Sequence, residues 1–355
     1  MTPPLQENVP LAPFTTLGIG GPARYFIRAR SESTVAESAN LARSKGLPLF
    51  VLGGGSNLLI ADDGFPGLVL KMEIQGMSWI DDGTHIRLTA GAGEDWDQVV
   101  AGSIARDLSG FECLSGIPGS VGGTPVQNVG AYGQEISDTL CELQAYDGQS
   151  ARIVNIPHDE CHFAYRSSVF NTSAKGRYIV LAVSYRLAKH GRPAIRYPEL
   201  QREFENKTEP SLAAVRDVVR KIRARKAMLL QPGEPDSQSA GSFFKNPVLS
   251  SEAFARLEVV AGEKVPGYPA PDGNVKAAAA WLIEHAGIAK GYSLGPAAVS
   301  GKHTLALVNK GGATASDMIS LAREIQRRVR DRFGLELAPE PVFIGFSEYP
   351  LEIKS

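Results

Sequence analysis

The hydrophobic residues of this chain recur with two periods, one typical of helices and one typical of strands. The first predicted helix is capped by Ser33 and ended by Gly46, with Val35, Ala39 and Ala42 on one face. The second spans Gly93–Gly110, with Trp96, Val100, Ile104 and Leu108 pointing inward. Three more helices are predicted over about Pro210–Leu230, Val275–Ala286 and Ala315–Phe333. The predicted strands are Leu47–Leu52, Leu68–Met72, His85–Ala90, Leu140–Tyr146, Ala151–Ile156, Tyr178–Leu187 and Leu305–Asn309. Mixed helices and strands in this order predict an α+β protein.

Local signals refine this outline. Thr314 and Asp317 have the spacing of a capping box, and Gly334 suits the left-handed end of the same helix. Residues 188–210 are polar and are expected to be irregular, while Gln231–Ala240, rich in Pro, Gly and Ser, is the best candidate for a domain boundary. The helix before it has a basic face, a pattern typical of a solvated surface, so no role is assigned to Arg216, Arg220, Lys221, Arg223 and Arg225.

Composition narrows the class of protein. The chain has 355 residues, of which 43% are hydrophobic and 21% are charged. These fractions are typical of soluble globular proteins. A formal net charge of −1 gives no general electrostatic reason to bind nucleic acid or an anionic membrane. Three cysteines without metal-type spacing predict reduced thiols. The first ten residues lack the basic and apolar regions typical of a signal peptide, and no uninterrupted apolar run approaches the length of a membrane span. We therefore expect a cytoplasmic enzyme.

One stretch, Ser115–Gly133, differs from the rest of the chain. It holds six glycines and two prolines with no charged residue, which disfavours a helix or a central strand. Such a loop can present bare backbone N–H groups to an anion, and a phosphate is the usual occupant. The sequence Gly53-Gly54-Gly55-Ser56-Asn57, directly after a predicted strand, is a second candidate of this kind. Tight turns between strands are the alternative for both.

Three further segments contain candidate catalytic residues. Phe163–Phe170 places Arg166 among aromatic residues, and the alternative is an arginine stacked at the surface. Gly241–Pro247 contains Ser242 and could instead be a buried turn, while Ala338–Phe343 holds Glu340 between prolines and could instead be a solvated turn. The sequence has no G-x-S-x-G nucleophile motif and no H-E-x-x-H metal-binding motif. His158 and His162 are four positions apart, but the residues around them do not have the pattern of a metal-binding helix, so no metal is expected.

Six motifs together resemble a known family. In chain order they are T-T-L-G-I-G-G-P-A, G-G-G-S-N-L-L, G-I-P-G-S-V-G-G-T-P-V-Q-N-V-G-A-Y-G, Y-R-S-S-V-F, A-G-S-F-F-K-N-P and A-P-E-P-V-F-I-G. Their order, from about Thr15 to Gly345, is similar to that of the UDP-N-acetylenolpyruvoylglucosamine reductase (UDP-N-acetylmuramate dehydrogenase) family, flavoproteins of bacterial peptidoglycan precursor synthesis. Tyr197 and the segment from Val265 to Ile283 resemble its tyrosine-loop branch (type I).

The resemblance implies a fold and a domain plan. The fold would be a two-part FAD-binding fold of the vanillyl-alcohol-oxidase type, followed by an α/β substrate-binding domain. The first FAD subdomain would span 1–72, with a C-terminal return over 338–355. The second would span 73–228, and the substrate-binding domain 229–337. The protein would be a monomer without nucleic-acid or membrane partners.

The resemblance also implies a reaction in two half-reactions. NADPH would pass hydride to FAD N5, and the flavin would pass it to the vinyl carbon of UDP-N-acetylglucosamine enolpyruvate. The product, UDP-N-acetylmuramate, serves cell wall biogenesis, cell shape and cell division. Ser242 would protonate the resulting enolate, Arg166 would offset its charge, and Glu340, in its protonated form, would hydrogen-bond there.

Binding residues follow from the same motifs. FAD would be held by Gly53, Gly54, Gly55, Ser56, Asn57, Gly119, Ser120, Gly122, Gly123, Asn128, Ala131, Tyr132 and Gly133. The sugar nucleotide would be held by Tyr165, Tyr197, Lys226, Asn246, Tyr268 and Lys276.

Two positions depart from the family pattern: Pro341 after Glu340, and Lys310 where an acidic residue is expected. Two other functions remain open from sequence. One is an FAD-dependent oxidase of the same fold, and the other is a uridine-nucleotide-binding protein without turnover. The lack of histidine in both glycine loops disfavours the oxidases that attach flavin covalently.

Overall fold

The computed structural model describes residues 4–205 and 209–351, and these residues form two compact units. The first unit comprises Met1–Val9, Ala23–Gly55 and Pro66–Ala224. The second comprises Pro10–Pro22, Ser56–Phe65 and Arg225–Ser355. The unit boundary after Ala224 precedes the expected linker at 231–240. The finer three-part division stays a prediction.

The strands, numbered along the chain, are β1 Gln6–Pro10, β2 Pro22–Ala29, β3 Leu49–Leu52, β4 Leu58–Ile60, β5 Phe65–Met72, β6 Met77–Asp82, β7 His85–Gly91, β8 Leu108–Ser109, β9 Gly130–Ala131, β10 Gln134–Glu135, β11 Leu140–Asp147, β12 Arg152–Pro157, β13 Tyr178–Lys189, β14 Ser239–Ser242, β15 Val248–Leu249, β16 Gly267–Pro269, β17 Val275–Ala277, β18 Ser293–Leu294, β19 Ala297–Val299, β20 Ala306–Asn309 and β21 Val342–Ile344. The α-helices are α1 Glu32–Ser44, α2 Trp96–Ile104, α3 Pro198–Glu203, α4 Leu212–Arg225, α5 Ser251–Ala261, α6 Ala279–His285 and α7 Ala315–Phe333.

The first unit contains two larger sheets and the small β9–β10 pair. One has the order β1-β2-β5-β3, with β3 parallel to β5, and the other is antiparallel in the order β12-β11-β13-β7-β6, with β8 also on β13. Their core includes Trp96, Phe111 and Tyr185, whose rings pack 4.9 to 5.9 Å apart between centroids. Three large aromatic residues in mutual contact fix where α2 and the loop after it lie.

The second unit also contains separate sheets. β14-β20-β19-β18 form one, β15-β17-β16 form another, and β4 pairs in parallel with β21. The long helix α7 buries one apolar face in this core. Its ends are those predicted: Thr314 and Asp317 form the capping box, and Gly334 ends the helix with φ 67°.

Several predicted helices have different ends. Ser31 caps α1 rather than Ser33, because the Ser31 side chain accepts the Thr34 N–H at 3.2 Å. Asp95 caps α2 through the Gln98 N–H at 2.9 Å, so this helix begins later than Gly93. It also ends before Gly110, because Asp107 has φ 55° and the following residues pair with β13 as β8.

Two other predictions were wrong about the type of structure. Residues 275–277 are not helical but form β17, the central strand between β15 and β16; the helix α6 starts only at Ala279. The stretch 188–210, expected to be irregular, contains the short helix α3. The helix begins with Pro198, whose fixed φ suits a first helical position. No helix in the part of the chain that the structure describes is long and apolar enough to span a membrane.

Candidate active site

Two glycine segments of the first unit, residues 53–55 and 119–123, lie against each other. A Cβ added to Gly54 would lie 2.5 Å from the Gly119 Cα, and one added to Gly53 would lie 2.6 Å from the Ser120 Oγ. Both distances are far inside ordinary contact, so only glycine allows this approach. The Ser120 hydroxyl is buried and has no hydrogen-bond partner among the described residues. A buried, unpartnered hydroxyl beside two close-packed glycine segments suits a ligand rich in hydrogen-bonding oxygens, such as a pyrophosphate.

The second glycine segment is held by its own backbone. Val121 N donates to Glu94 O at 2.9 Å, Gly122 N to Ala92 O at 2.9 Å, and Gly123 N to Ser120 O at 3.0 Å. The expectation of a long row of bare amides is therefore only partly met. The loop instead combines a rigid frame with the open space beside Gly123, where an added Cβ would meet nothing within 4 Å.

Arginines of α4 surround the start of this loop. Asp97 accepts hydrogen bonds from Gly116 N at 2.6 Å and from two nitrogens of Arg216 at 2.6 and 2.9 Å, and Arg220 adds another. Arg223 is buried and donates from Nε to Gly116 O at 3.0 Å. The basic face of α4 is thus not only solvated. Three arginines and one carboxylate leave a positive excess beside a loop suited to anions.

The structure shows what burial does to this cluster. Desolvation acts to raise the pKa of Asp97, yet the hydrogen bonds from Arg216 and Gly116, with the charges of Arg216 and Arg220, hold that pKa below its ordinary value. Burial lowers the pKa of Arg223. The spacing 216, 220, 223 places the three arginines on one helix face, a signal that the sequence already contained.

The strands β9 and β10 form a hairpin at the end of the glycine stretch. Its two turn residues, Tyr132 and Gly133, have φ of 49° and 85°, as a primed two-residue turn requires. The Tyr132 ring packs edge-on against Tyr197, with centroids 5.5 Å apart. Two residues that sequence assigned to different ligands are therefore neighbours within the first unit.

Arg166 lies on a tight turn of residues 164–167, here called the arginine turn. Ala164 and Ser167 exchange backbone hydrogen bonds at 3.0 and 3.1 Å, and Arg166 has the left-handed φ of 53°. Its Nη2 donates to Gly130 O at 2.9 Å, next to the β9–β10 hairpin. The Tyr165 ring lies 5.5 Å from the guanidinium carbon. The guanidinium is thus tied to the end of the glycine stretch.

The backbone segments that carry Ser242 and Glu340 pair in the second unit. Glu340 N donates to Phe243 O at 2.9 Å, and Lys245 N donates to Ala338 O at 2.9 Å. Ser242 ends β14, where Gly241 adopts φ 73° at an irregularity in the pairing with β20. Asn57 Nδ2 donates to Glu340 O at 3.2 Å, so the Glu340 backbone is fixed from two sides. Two backbone segments from distant parts of the sequence, one carrying Ser242 and the other Glu340, thus lie side by side.

The sugar-nucleotide candidates of the second unit are also placed. Tyr268 on β16 lies directly opposite Lys276 on β17 in antiparallel register. Asn246 Oδ1 accepts the Ala279 N–H at 2.9 Å at the start of α6, which leaves its amide nitrogen as the group able to donate to a ligand. Lys226 follows the end of α4 and is half-buried.

Lys310, a departure from the family pattern, has a local role. Its ammonium pairs with the buried Asp236, which also accepts from Ser300 Oγ and Gly301 N at 2.7 Å each. This network anchors the segment that leads into β14. Pro341, the other departure, is buried next to β21.

A cavity of about 460 Å³ opens in the first unit beside the arginine turn. Its lining includes Asn128, Glu135, His162 and Ala164. No group of three or more metal-ligating side chains occurs among residues 4–205 and 209–351.

Known proteins match nearly the whole chain. Residues 231–344 match the family model described as UDP-N-acetylenolpyruvoylglucosamine reductase, C-terminal domain, and residues 23–156 match the model described as FAD binding domain. A relative of that name from Thermobifida fusca is 48% identical over 97% of this chain and 99% of its own. Another, from Streptomyces avermitilis, is 45% identical over 96% of this chain and 94% of its own. The chain belongs to the UDP-N-acetylenolpyruvoylglucosamine reductase family.

A solved structure of the family agrees with this assignment. The crystal structure of UDP-N-acetylenolpyruvylglucosamine reductase from Thermus caldophilus superposes with a TM-score of 0.65 at 27% identity, covering 96% of this chain and 99% of that one. The α+β fold with an FAD-binding part and a reductase C-terminal domain, predicted from the motifs, is confirmed.

Proposed function

We propose that this reductase uses NADPH to reduce UDP-N-acetylglucosamine enolpyruvate to UDP-N-acetylmuramate, a step of peptidoglycan precursor synthesis. The near full-length identity of 48% to a relative of that name supports the reaction. The observation that supports the assignment of chemistry is the hydrogen bond from Glu340 N to Phe243 O, which pairs the segment of Glu340 with the segment of Ser242. Binding proteins without turnover have no need of such a pair.

FAD fits the first unit on structural grounds. Glycine at position 54 lets residues 53–55 pack directly on Gly119, and the buried Ser120 hydroxyl is a donor for a phosphate oxygen. The arginines near Gly116 add positive charge for an anionic cofactor. Bound FAD would supply hydride transfer between NADPH and the vinyl carbon of the substrate.

Ser242, Arg166 and Glu340 then act on the charge that reduction creates. Hydride addition at the vinyl carbon leaves an enolate conjugated to the substrate carboxylate. Ser242 donates its hydroxyl proton to the enolate carbon, and solvent returns a proton to the serine. Arg166 stabilises the negative charge through its N–H donors, and Glu340 hydrogen-bonds in the same region. One hydride and one proton are consumed for each product.

The substrate residues follow the tyrosine-loop branch of the family. Lys226 and Lys276 are cations suited to a diphosphate, and Tyr268 lies opposite Lys276 in the sheet. Tyr165, Tyr197 and Asn246 complete the proposed binding set. We further propose a cytoplasmic monomer, which light scattering during size-exclusion chromatography would test by giving the 38.0 kDa mass of one chain.

An anaerobic visible spectrum tests the reaction directly. We expect NADPH to bleach the flavin absorbance of the purified protein, and UDP-N-acetylglucosamine enolpyruvate to restore it. Recovery only on admission of air would favour the oxidase alternative. Nucleotide binding without NADPH oxidation would favour the non-catalytic alternative.

The variant Ser242→Ala separates the two half-reactions. Reduction by NADPH should keep its normal rate, because it needs no proton from the serine, whereas reoxidation by the enolpyruvyl substrate should slow by at least about 100-fold. The matched control is Ser293→Ala, at an exposed serine of β18. Wild-type reoxidation in Ser242→Ala would show that another group donates the proton.

A further inference from the structure

Two asparagine side chains hold the backbone of the arginine turn. Asn128 Nδ2 donates to Ala164 O at 3.3 Å, and Asn171 Nδ2 donates to Arg166 O at 3.2 Å. The first bond fixes the start of the turn and the second fixes Arg166 itself. Neither asparagine was singled out as acting on Arg166 by the sequence motifs.

Both asparagines are themselves immobilised. Asn128 is 1% exposed, donates also to Glu135 Oε2 at 2.8 Å and accepts the Ser137 N–H at 3.1 Å. Asn171 Oδ1 accepts the Ser168 N–H at 2.9 Å in a capping box. A carboxamide that is bonded at both its oxygen and its nitrogen has one orientation, so it can act as a rigid support.

The turn needs such support. Arg166 has φ 53°, a left-handed conformation that is unfavourable for a residue with a Cβ and that persists only where surrounding contacts enforce it. The side chain reaches Gly130 O, so the position of the guanidinium depends on the turn and on the hairpin together. Asn128 lies two residues before Gly130 and contacts the turn, which links these two anchors.

We propose that Asn128 and Asn171 are positioning residues that aim the Arg166 guanidinium at the enolate formed during substrate reduction. The inference rests on the proposed function, in which Arg166 offsets the enolate charge. Both asparagines act on Arg166 through the turn. Asn171 belongs to no proposed ligand-binding set, so the effect of its loss should appear only in the step that uses Arg166.

Stopped-flow measurement of the two half-reactions tests this inference. In Asn128→Ala and Asn171→Ala, reoxidation of the reduced flavin at saturating enolpyruvyl substrate should slow by about 10- to 100-fold, the loss expected for a misplacement near 1 Å. Reduction by NADPH should stay within about twofold of wild type in Asn171→Ala, because this residue lies outside the proposed FAD-binding set. The matched control is Asn155→Ala, an exposed asparagine on β12, which should change neither rate.

A double-mutant cycle distinguishes positioning from independent effects. In an Arg166→Ala background the guanidinium is gone, so adding Asn171→Ala or Asn128→Ala should cause no further loss. Losses that multiply, or equal losses in both half-reactions of Asn171→Ala, would overturn the proposal. If Asn128→Ala does not fold or hold FAD, the Asn171→Ala pair decides alone.

The cycle also separates this inference from the proposed function. Slow reoxidation in Arg166→Ala with a normal Asn171→Ala rate would refute the positioning role and leave the role of Arg166 intact. A wild-type rate in Arg166→Ala would refute the role of Arg166 and the inference with it.

Discussion

Replacing Gly54 by alanine should weaken FAD binding indirectly, because the new Cβ would clash with the protein backbone and not with the ligand. The new Cβ would lie 2.5 Å from the Gly119 Cα and 2.7 Å from its carbonyl carbon, while ordinary contacts begin at 3.4 Å. The two glycine segments must therefore separate by roughly 1 Å. The clash is between backbone atoms, which cannot rotate away as a side chain can, so the two glycine segments themselves must move apart.

The size of the effect follows from this displacement. Overpacking of this kind costs about 1–3 kcal/mol of folding free energy. A separation near 1 Å stretches a hydrogen bond beyond its useful range, and one charge-assisted bond to a phosphate contributes about 1.5–3 kcal/mol. We therefore expect the FAD dissociation constant of Gly54→Ala to rise about 10- to 100-fold.

Titration of FAD-free protein, followed by flavin fluorescence, measures that constant, and urea unfolding measures the folding free energy. Gly102→Ala in α2 is the control, because its Cβ would meet only side chains at 3.7 Å or more. Gly123→Ala is an informative second variant, since its Cβ meets no protein atom within 4 Å and can clash only with a bound ligand. Wild-type FAD affinity in a destabilised Gly54→Ala would refute a cofactor site formed by these two segments.

Three further predictions concern stability and reactivity. Asp97→Asn should lower the free energy of unfolding by about 2 kcal/mol at pH 7. Because the folded pKa of Asp97 lies below its unfolded value, this contribution is present above about pH 4 and is lost as the pH falls through the folded pKa. The difference in unfolding free energy between wild type and Asp97→Asn, measured by urea unfolding, should therefore shrink at low pH. A difference that stays constant would contradict the prediction. Thr314→Ala should cost about 1 kcal/mol through the α7 cap, measured in the same way, and an equal loss in the serine variant would argue against capping. Burial raises the pKa of Cys113, and it raises the pKa of Cys161 to about 12. Since iodoacetamide reacts with the thiolate and needs access to it, labelling at pH 8 should modify the half-buried Cys141 first. Early labelling of Cys113, detected by mass spectrometry, would count against this order.

Local chemistry explains what could be predicted from the sequence. The ends of α7 were predicted to the residue, because the capping box and Gly334 involve atoms within a few positions of one another. The buried face of α4 was also predicted, since Val215, Val219 and Ile222 follow the helical period. Six motifs in order identified the family and its cofactor.

Features that depend on distant partners could not be predicted. The carboxylate that pairs with Arg216 is 119 positions away, so the basic face looked solvated. Residues 275–277 have an apolar pattern compatible with a helix, and only pairing with β15 and β16 makes them a strand. The left-handed backbone of Arg166 gave no sequence signal either. The catalytic and ligand-binding roles stay predictions that the variants above would test.

The pairing of β4 with β21 has a consequence for how the chain folds during synthesis. The Asn57 side chain bonds to the Glu340 carbonyl across 283 positions, and β4 directly follows Asn57. The early segments of the second unit therefore leave the ribosome long before their partners exist. Until the last strand emerges, β4 has an unpaired edge, and contacts of such long sequence separation form slowly. Nascent chains that stall or end before residue 342 should be the forms most prone to aggregation and most dependent on chaperones.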